Sequence, residues 1–361
     1  MLGFEMAMLC NIESYVPCKR NLYSGLIASQ YFMFMMSFAK YNDKIEEGNI
    51  VIVYLNHDNM HSLKVTRGQT HQTRFGALKH SDLIGVRFGS KIVCNKGWLY
   101  ILFPTPELWT LAVPHRTQIL YSTDISMILM QLDLKPGAVV IEAGTGSGSL
   151  SHAIIQSVMP TGHLFTFEFH EERAKKATVE FVDHGLADYV TVACRDVCQR
   201  GFPHNGEADA VFLDLPSPWE CIQSAKQALK KSGGRICTFS PCIEQVQKSC
   251  ESLTSHGFQE VNTLECLVRN FSVRNFSLPT ADLGQTESSD LQPAVKHLKM
   301  ETSPSATLQE DTKNVSASKS PDSRKSKSTT EDCFSFSAGV PPINMQGHTG
   351  FLTFATLYPS L

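Results

Sequence analysis

A strand that runs directly into a glycine-rich turn, at residues 139–149, is the feature that most constrains the fold. Its three glycines let the backbone approach a ligand closely, and a helix beginning after them presents unpaired N–H groups. The third glycine comes one residue too early for the dinucleotide motif G-x-G-x-x-G, and a carboxylate, Glu142, stands just before the turn. Because that carboxylate would repel a diphosphate, the loop is better suited to a cationic ligand.

Strands and helices alternate around this loop. Near-continuous apolar runs such as AVVI and AVFL are typical of parallel strands that are buried on both faces. The pattern therefore predicts a doubly wound α/β domain. A first helix is expected from Ser122, with Pro136 and Gly137 ending it. The predicted strands are 138–142, 163–169, 189–193, 208–214 and 234–240, and the helical stretches lie at about 150–158, 171–184, 217–231 and 242–256.

The flanking regions have different patterns. Short β-branched and aromatic runs, separated by Gly, Asn and Asp, predict a small β-domain before the α/β domain. Residues 303–330 hold almost no large apolar side chain and are predicted to be disordered, whereas 348–357 has the pattern of a strand that completes the sheet. The predicted segments are a non-core extension at 1–35, a β-domain at 36–113, the α/β domain at 114–279 with 347–361, and a disordered insertion at 280–346.

The charge of the chain argues against general coating of a polyanion. It has 361 residues, with 32 Lys and Arg against 35 Asp and Glu. Binding to nucleic acid would therefore need a local basic patch, a shape-reading pocket or a basic partner. Candidate phosphate contacts, each more often a solvated surface charge, are Arg74, Lys79, Arg87, Lys91, His115 and Arg116.

The cysteines indicate reduced thiols rather than a disulfide framework. There are 11, an odd number, and the close pair Cys194 and Cys198 has no second pair at metal-ligand spacing. We therefore expect a reducing compartment and no metal site. No run of about 18 apolar residues is present, so no membrane span is predicted.

Acidic residues occur near the carboxyl ends of successive predicted strands, which meet at one edge of a parallel sheet. Glu168 is predicted to end the second strand, where it can accept both hydrogen bonds of a ribose diol, and Asp196 to end the third, where it can accept one from an adenine amino group. Together with Glu142, which suits an ammonium group, they fit S-adenosylmethionine. The alternative is that the three are unrelated surface acids at strand ends.

A fourth acid, Asp214, begins the rigid sequence DLPSPW. Methylation of adenine at N1 leaves a positive charge on the ring, and an acceptor on the N6 amino group would stabilise that charge as it develops. We therefore assign this role to Asp214. The alternative is that Asp214 only caps the helix starting near Ser217, and Trp219 is more often a packing residue than a base-stacking one.

The motifs together resemble the catalytic subunit of the eukaryotic tRNA (adenine(58)-N1)-methyltransferase. The resemblance extends from about Met36 to the C-terminus, apart from the insertion. The motifs that carry it are LWT at 108–110, PHRTQILY at 114–121, EAGTGSGS at 142–149, DLPSPW at 214–219, FSPCIEQV at 239–246 and GHTG at 347–350.

This resemblance implies a class I S-adenosylmethionine-dependent methyltransferase fold, with a seven-stranded sheet behind an N-terminal β-domain. It also implies methylation of adenine 58 in the T loop of tRNA, with Asp214 as the catalytic acid, within a heterotetramer of two catalytic and two homologous non-catalytic, RNA-binding chains. Messenger RNA with T-loop-like hairpins is a further expected substrate. We expect a nuclear location, or a mitochondrial one if residues 1–35 act as a presequence.

The resemblance also assigns positions to the site. The expected cofactor-binding residues are Leu120, Glu142, Gly144, Thr145, Gly146, Ser147, Gly148, Ser149, Glu168, Arg173, Asp196, Val197 and Asp214. The expected substrate-binding residues are Leu55, Asn56, His57, Thr117, Gln118, Leu213, Leu215, Pro216, Ser240, Pro241, Glu244, Gln245 and Thr349.

Two other functions remain open at this point. The cofactor half of the site is generic, so the substrate could be another RNA, a protein or a small molecule. A non-catalytic RNA-binding scaffold is the second alternative, although a scaffold has no need of the glycine-rich loop and Asp214.

Overall fold

A mostly parallel sheet of seven strands forms the centre of the fold and carries the glycine-rich loop. The computed structural model describes residues 38–39, 41–57, 59–113, 117–279, 333–344, 347 and 349–359. These divide into two compact units, one of residues up to Val268 together with those from Gly347, and the other within Arg269–Gln346.

The secondary-structure elements are numbered in chain order. The strands are β1 Ile50–Asn56, β2 Asn59–Lys64, β3 Thr70–Thr73, β4 Gly76–Lys79, β5 Ser90–Cys94, β6 Gly97–Leu102, β7 Val139–Ala143, β8 His163–Glu168, β9 Val190–Cys194, β10 Ala210–Asp214, β11 Gly234–Ser240, β12 Gln259–Glu265, β13 Ser272–Pro279, β14 Cys333–Val340 and β15 Phe351–Leu357. The α-helices are α1 Pro106–Ala112, α2 Ser122–Gln131, α3 Ser149–Val158, α4 Glu171–Asp183, α5 Val197–Arg200, α6 Ile222–Ala228 and α7 Ile243–Ser255, and 3₁₀ helices span His80–Asp82 and Pro218–Cys221.

The central sheet has the strand order β12-β15-β11-β10-β7-β8-β9. The five strands from β11 to β9 are parallel, whereas β15 is antiparallel to both β11 and β12. The strand predicted at 348–357 is therefore confirmed as a member of this sheet over Phe351–Leu357. Chain order reverses between β7 and β10, which makes their carboxyl ends the place where ligands bind in such sheets.

Two apolar layers bury the faces of the sheet. On one face Val140 and Phe212 pack with residues of α2, α3 and α4. On the other face Ile141 and Val211 pack with residues of α6 and α7. Because consecutive strand residues point to opposite faces, strands buried on both sides are apolar almost throughout, as the sequence predicted.

The N-terminal β-region has its own core. Its four-stranded sheet has the order β2-β1-β6-β5, and a separate hairpin joins β3 to β4. It belongs to the same compact unit as the central sheet, and Lys64 on β2 pairs with Asp183 at the end of α4, Nζ to Oδ1 2.8 Å. Trp109 on α1 is buried together with Ile50 of β1, so helix α1 joins the two regions.

The second compact unit corrects the prediction for 280–346. Strand β14, at Cys333–Val340, pairs antiparallel with β13 over eight residues and forms a two-stranded ribbon. β14 lies within the predicted disordered insertion, and β13 within the predicted α/β domain. The composition of β14 does not predict a strand, because a ribbon strand rich in Ser and Phe lacks the apolar run of a buried strand. The predicted disorder at 280–332 and the extension at 1–35 lie outside the described residues.

Other elements were missed or have different bounds. The largest difference is at 217–231, predicted as one helix, where a 3₁₀ helix at Pro218–Cys221 precedes α6 at Ile222–Ala228. Helix α1 was not predicted, although Thr105 caps it and Pro106 opens it, which is a recognisable start signal. Strand β12 was missed because it is a largely polar edge strand, and the β3–β4 hairpin because both of its strands are short. Among the described residues, no helix is long and apolar enough to span a membrane.

Candidate active site

The glycine-rich loop and Asp214 are adjacent because β7 and β10 are neighbouring parallel strands. Leu213 pairs with Ala143, so the chain leaves both strands at the same level. Gly144 has φ +97°, and a Cβ placed there would collide with the backbone carbonyl oxygen of Asp214. Only glycine permits this conformation and this approach together.

Polar side chains hold the loop from the segment that precedes α2. The Ser149 hydroxyl donates to the Leu120 carbonyl at 3.1 Å and lies 2.8 Å from the Thr110 hydroxyl. The Ser147 hydroxyl accepts from the Thr117 amide at 3.3 Å. Since Ser147 and Ser149 are both buried, these bonds fix the loop without access to water.

A cleft of about 510 Å³ lies along the carboxyl edge of the sheet. A narrow extension beside the glycine-rich loop shares Gln118, Gly144, Gly146 and Asp214 with it. All of the predicted cofactor-binding residues line one or the other. Glu168, Arg173, Asp196 and Val197 line the cleft, Leu120, Glu142, Thr145, Ser147, Gly148 and Ser149 line the extension, and Gly144, Gly146 and Asp214 line both.

Glu142 is the deepest of the acids, with 1% of its surface exposed. Its Oε2 accepts from the hydroxyls of Ser151, at 2.6 Å, and Thr166, at 2.7 Å. Burial raises the pKa of Glu142 to about 7, more than these two hydrogen bonds lower it, and nearby Asp214 and Glu168 raise it further. A cation placed beside this carboxyl would favour its ionised form.

Glu168, at the end of β8, is 3% exposed and held by four donors. Its Oε1 accepts from Nη2 of Arg173 at 2.7 Å, and its Oε2 accepts from the Gly146 amide at 3.1 Å. Arg173 therefore balances the charge of Glu168 on the cleft wall. A carboxylate oxygen can accept two hydrogen bonds, so Oε2 can still receive one from a ribose hydroxyl.

Asp196 was predicted to end a strand, but in the structure it caps α5. Its Oδ1 accepts from the amides of Cys198, at 3.0 Å, and Gln199, at 3.2 Å. This N-cap fixes the side chain beside the cleft, two residues beyond β9. Asp196 remains in the predicted place because the turn between the strand and its cap is short.

Asp214 ends β10 and faces both parts of the cavity. Burial raises the pKa of Asp214 to about 6, and the charge of Glu168 adds to the shift. The 3₁₀ helix that follows has Ser217 rather than Asp214 at its N-cap, so the capping alternative for Asp214 is not observed. Trp219 packs against the apolar layer beneath α7, and the Lys248 ammonium lies 4.7 Å from the centre of its ring.

The structure brings part of the predicted substrate set to the cleft. Thr117, Gln118, Leu215 and Pro216 line it. Gln245 adjoins it, because its Nε2 donates to the Pro216 carbonyl at 3.0 Å and its Oε1 accepts from the Cys242 amide at 3.2 Å.

The other predicted substrate residues lie outside the residues that line the cleft. Leu55 and Leu213 are buried in apolar cores, so their side chains are structural and only their backbone atoms could meet a substrate. Thr349 donates to buried Asp124, Oγ1 to Oδ2 3.0 Å. Asn56, His57, Pro241 and Glu244 are exposed, and Ser240 is buried.

Of the candidate phosphate contacts, several are engaged locally. Arg87 pairs with Asp43 at 3.1 Å, and Arg74 and Lys91 lie over the rings of Phe75 and Trp98. Lys79 is exposed, and His115 and Arg116 lie outside the described residues.

A buried pair of histidines supports the loop from below and was missed by sequence analysis. Nδ1 of His152 lies 2.6 Å from the Gly148 carbonyl, and its Nε2 lies 2.7 Å from Nδ1 of His184. His152, His184 and Glu180 each offer one atom of a kind that can bind a metal ion, and these atoms lie within 4.8 Å of one another. The expectation from the sequence that the protein has no metal site stays a prediction. No motif joins His152 to His184, which are 32 residues apart and meet only when α3 packs beside α4.

The sheet topology, the glycine-rich loop and acids suited to an ammonium, a ribose and an adenine define a class I S-adenosylmethionine-dependent methyltransferase. The chain further matches the family described as "tRNA methyltransferase complex GCD14 subunit" over residues 97–357, and it belongs to that family.

Curated relatives agree with this family. A catalytic subunit of tRNA (adenine(58)-N(1))-methyltransferase from Dictyostelium discoideum is 47% identical in an alignment of 239 residues that covers 64% of this chain and 76% of the relative. The corresponding subunit from Candida albicans is 38% identical over 336 residues, covering 90% and 99% of the two chains.

Solved structures show the same fold. A SAM-dependent O-methyltransferase from Thermotoga maritima superimposes with a TM-score of 0.64 at 25% identity, over 89% of this chain and 97% of the other. The tRNA (m1A58) methyltransferase TrmI from Aquifex aeolicus gives 0.58 at 22% identity, over 87% and 98%.

Replacing Gly144 with alanine tests the close approach of the loop to β10. We expect Gly144→Ala to weaken S-adenosylmethionine binding at least about tenfold, because the new methyl group displaces either the loop or Asp214. Gly68→Ala is the control, since Gly68 also has a positive φ, +83°, but no atom lies within 4 Å of its added Cβ. Calorimetry measures both affinities, and wild-type affinity in Gly144→Ala would contradict the expectation.

The raised pKa of Glu142 predicts a pH dependence of cofactor binding. A bound cation lowers the pKa of Glu142 from about 7, so binding releases a proton, and affinity rises roughly tenfold between pH 6 and pH 8. In Glu142→Gln the affinity for S-adenosylmethionine should depend less on pH over that range. The dependence that remains would come from Asp214, whose pKa is about 6. Calorimetry in two buffers of different ionisation enthalpy counts the protons, and equal release by wild type and variant would refute this role of Glu142.

Proposed function

We propose that the protein transfers the methyl group of S-adenosylmethionine to N1 of adenine 58 in the T loop of tRNA. The observation that carries this proposal is the position of Asp214, a carboxylate at the sheet edge where the cofactor loop and the cleft meet. The named activity of the relatives supports the same substrate.

The residues of this chain provide positioning and charge. S-adenosylmethionine, when bound, supplies an electrophilic methyl group. Asp214 accepts a hydrogen bond from the N6 amino group of adenine, and its negative charge stabilises the positive charge that develops on the ring as N1 is alkylated. With a pKa of about 6, Asp214 is mostly ionised at neutral pH and can act as this acceptor.

The loop after Asp214 keeps the carboxylate in place. Pro216 restricts the backbone, and Gln245 at the start of α7 donates to its carbonyl. Thr117 and Gln118 also line the cleft. A base taken out of its stack and inserted here would be oriented before reaction, and such positioning accounts for much of catalysis.

The substrate is tested by mapping N1-methyladenosine on defined tRNAs. The chain, purified with its partner subunit, is incubated with a tRNA transcript and with the same transcript carrying guanine at position 58. We expect methylation of the first at position 58 and none of the second. Methylation at another site, or of protein only, would support the rival enzyme, and failure to bind S-adenosylmethionine would support the scaffold.

Asp214→Ala tests the catalytic role separately from folding. We expect kcat to fall more than tenfold, which corresponds to about 1.4 kcal/mol of barrier, while S-adenosylmethionine still binds. Glu207→Gln is the control, because Glu207 is an exposed acid paired with His204 and does not line the cleft. Full activity of Asp214→Ala would remove Asp214 from the mechanism.

A homologous, non-catalytic, RNA-binding subunit completes the proposed enzyme, as a heterotetramer of two chains of each kind. The ribbon β13–β14 supports this assembly, because one of its faces carries a group of exposed apolar side chains. Phe276 stacks on Phe336 with ring centres 5.5 Å apart, beside Leu278 and Phe334, and Leu278 and Phe334 are 52% and 64% exposed. An isolated two-stranded ribbon is marginally stable in water, so such a face needs a cover.

The charge of the chain supports the same partner. Its net charge is -3, whereas tRNA is a polyanion, so basic surface on a second subunit would supply the phosphate contacts. We propose a nuclear location, and messenger RNA with T-loop-like hairpins as a further substrate of the same pocket.

Substitutions that introduce charge on one or the other face of the ribbon test the assembly. We expect Phe276→Asp with Phe336→Asp to abolish co-purification with the partner subunit, because the carboxylates would have to be buried in the interface. The control is Ser277→Asp with Ser335→Asp, on the opposite, polar face. Light scattering measures the mass of each complex, and an intact heterotetramer with the phenylalanine variant would contradict the proposal.

A further inference from the structure

Two thiols meet at the wall of the cofactor cleft. Cys198 lies on α5 and lines the cleft, and Cys221 ends the 3₁₀ helix that follows the Asp214 loop. Their Sγ atoms are 3.2 Å apart, with the Cys221 thiol donating to Cys198. Every one of the nine cysteines in the described part of the chain is a free thiol.

We propose that Cys198 and Cys221 are a site of reversible oxidation, and that the disulfide between them weakens the binding of S-adenosylmethionine. This regulation is separate from the methylation of tRNA, because neither the oxidation of the two thiols nor its effect on cofactor binding requires RNA. A peroxide is the oxidant. In a reducing compartment the resting state is the dithiol, and a disulfide of this kind is transient.

The chemistry balances with hydrogen peroxide as the two-electron oxidant. The Cys198 thiolate attacks one peroxide oxygen, the O–O bond breaks, and protonation of the leaving hydroxide gives water and a sulfenic acid on Cys198. The Cys221 sulfur then attacks Sγ of Cys198, the S–O bond breaks, and a second water leaves with the Cys221 proton. Two thiols and one peroxide thus yield one disulfide and two waters.

Access decides which thiol reacts first. Cys198 is partly exposed on the cleft, whereas Cys221 is fully buried behind it. Burial raises the pKa of the Cys198 thiol, the hydrogen bond from Cys221 offsets part of that increase, and the negative charges of Asp196 and Glu220 raise the pKa further. Burial raises the pKa of Cys221 much further, so Cys198 is the first nucleophile and Cys221 the resolving one. Oxidation should therefore accelerate as pH rises above neutrality.

The bond would move residues that line the cleft. A disulfide requires the sulfurs to close from 3.2 Å to about 2 Å, and in this proposal α5 and the 3₁₀ helix share that movement of roughly 1 Å. The Asp196 carboxylate accepts a hydrogen bond from the Cys198 amide, and Val197 lies between the two residues in the chain. The predicted adenine-binding part of the cleft therefore shifts together with Cys198.

The experiment treats the full chain with hydrogen peroxide at pH 8, blocks free thiols and maps the peptides by mass spectrometry. We expect a linked Cys198–Cys221 peptide. Calorimetry should show that the affinity for S-adenosylmethionine falls at least threefold and that dithiothreitol restores it. Cys221→Ala should keep its affinity under peroxide, with Cys221→Ser as a second variant in case the alanine variant is unstable. Cys194→Ser is the control, because Cys194 is exposed and its Sγ bonds instead to the Phe169 carbonyl.

Three outcomes would overturn the inference. The first is alkylation of both thiols, or over-oxidation of Cys198, with no linked peptide. The second is a linked peptide with unchanged cofactor affinity. The third is an equal loss of affinity in Cys221→Ala, since the loss would then arise at Cys198 alone. None of these results depends on tRNA methylation, so they leave the proposed function standing.

Discussion

The contact between the Gly144 backbone and the carbonyl of Asp214 is the constraint on which the site depends. It exists because β7 and β10 are parallel neighbours at the point where chain order reverses. This approach brings the loop that can hold a cofactor next to the acid that can face a base. A side chain at Gly144 would separate the two, and buried Ser147 and Ser149 hold the loop in that position.

The site concentrates negative charge, and the fold accommodates it in three ways. Glu142 is buried with a pKa near 7, so it is partly protonated until a cation arrives. Glu168 is paired with Arg173, and Asp196 is held by backbone amides. Asp214, with a pKa of about 6, carries its charge at neutral pH without a cationic partner among the described residues. That charge is therefore available to a ring that becomes positive.

Much of this arrangement was predictable from local sequence. The strands β7 to β11 have apolar runs of the right length, and the carboxylates follow them at the edge where parallel strands must end. The helix cap at Asp196 and the pairing of Glu168 with Arg173 depend on side-chain geometry that a pattern does not contain. The His152–His184 pair and the Cys198–Cys221 pair join residues distant in sequence, so only packing of the helices brings them together.

The ribbon β13–β14 shows a different limit of sequence reasoning. Its strands lie on either side of residues 280–332, and the pairing of Phe276 with Phe336 could not be seen from either strand alone. A sheet of two strands has little core, so the apolar pattern that identifies buried strands was absent. The signal that could have found β14 is the alternation of phenylalanine and serine at 334–337.

The most direct test of the account is a crystal structure of the protein with S-adenosylmethionine bound. We expect the ribose against Glu168, the adenine beside Asp196 and Val197, and the donated methyl group facing the carboxylate of Asp214. A cofactor bound elsewhere on the protein, or an Asp214 side chain turned away from the methyl group, would contradict it.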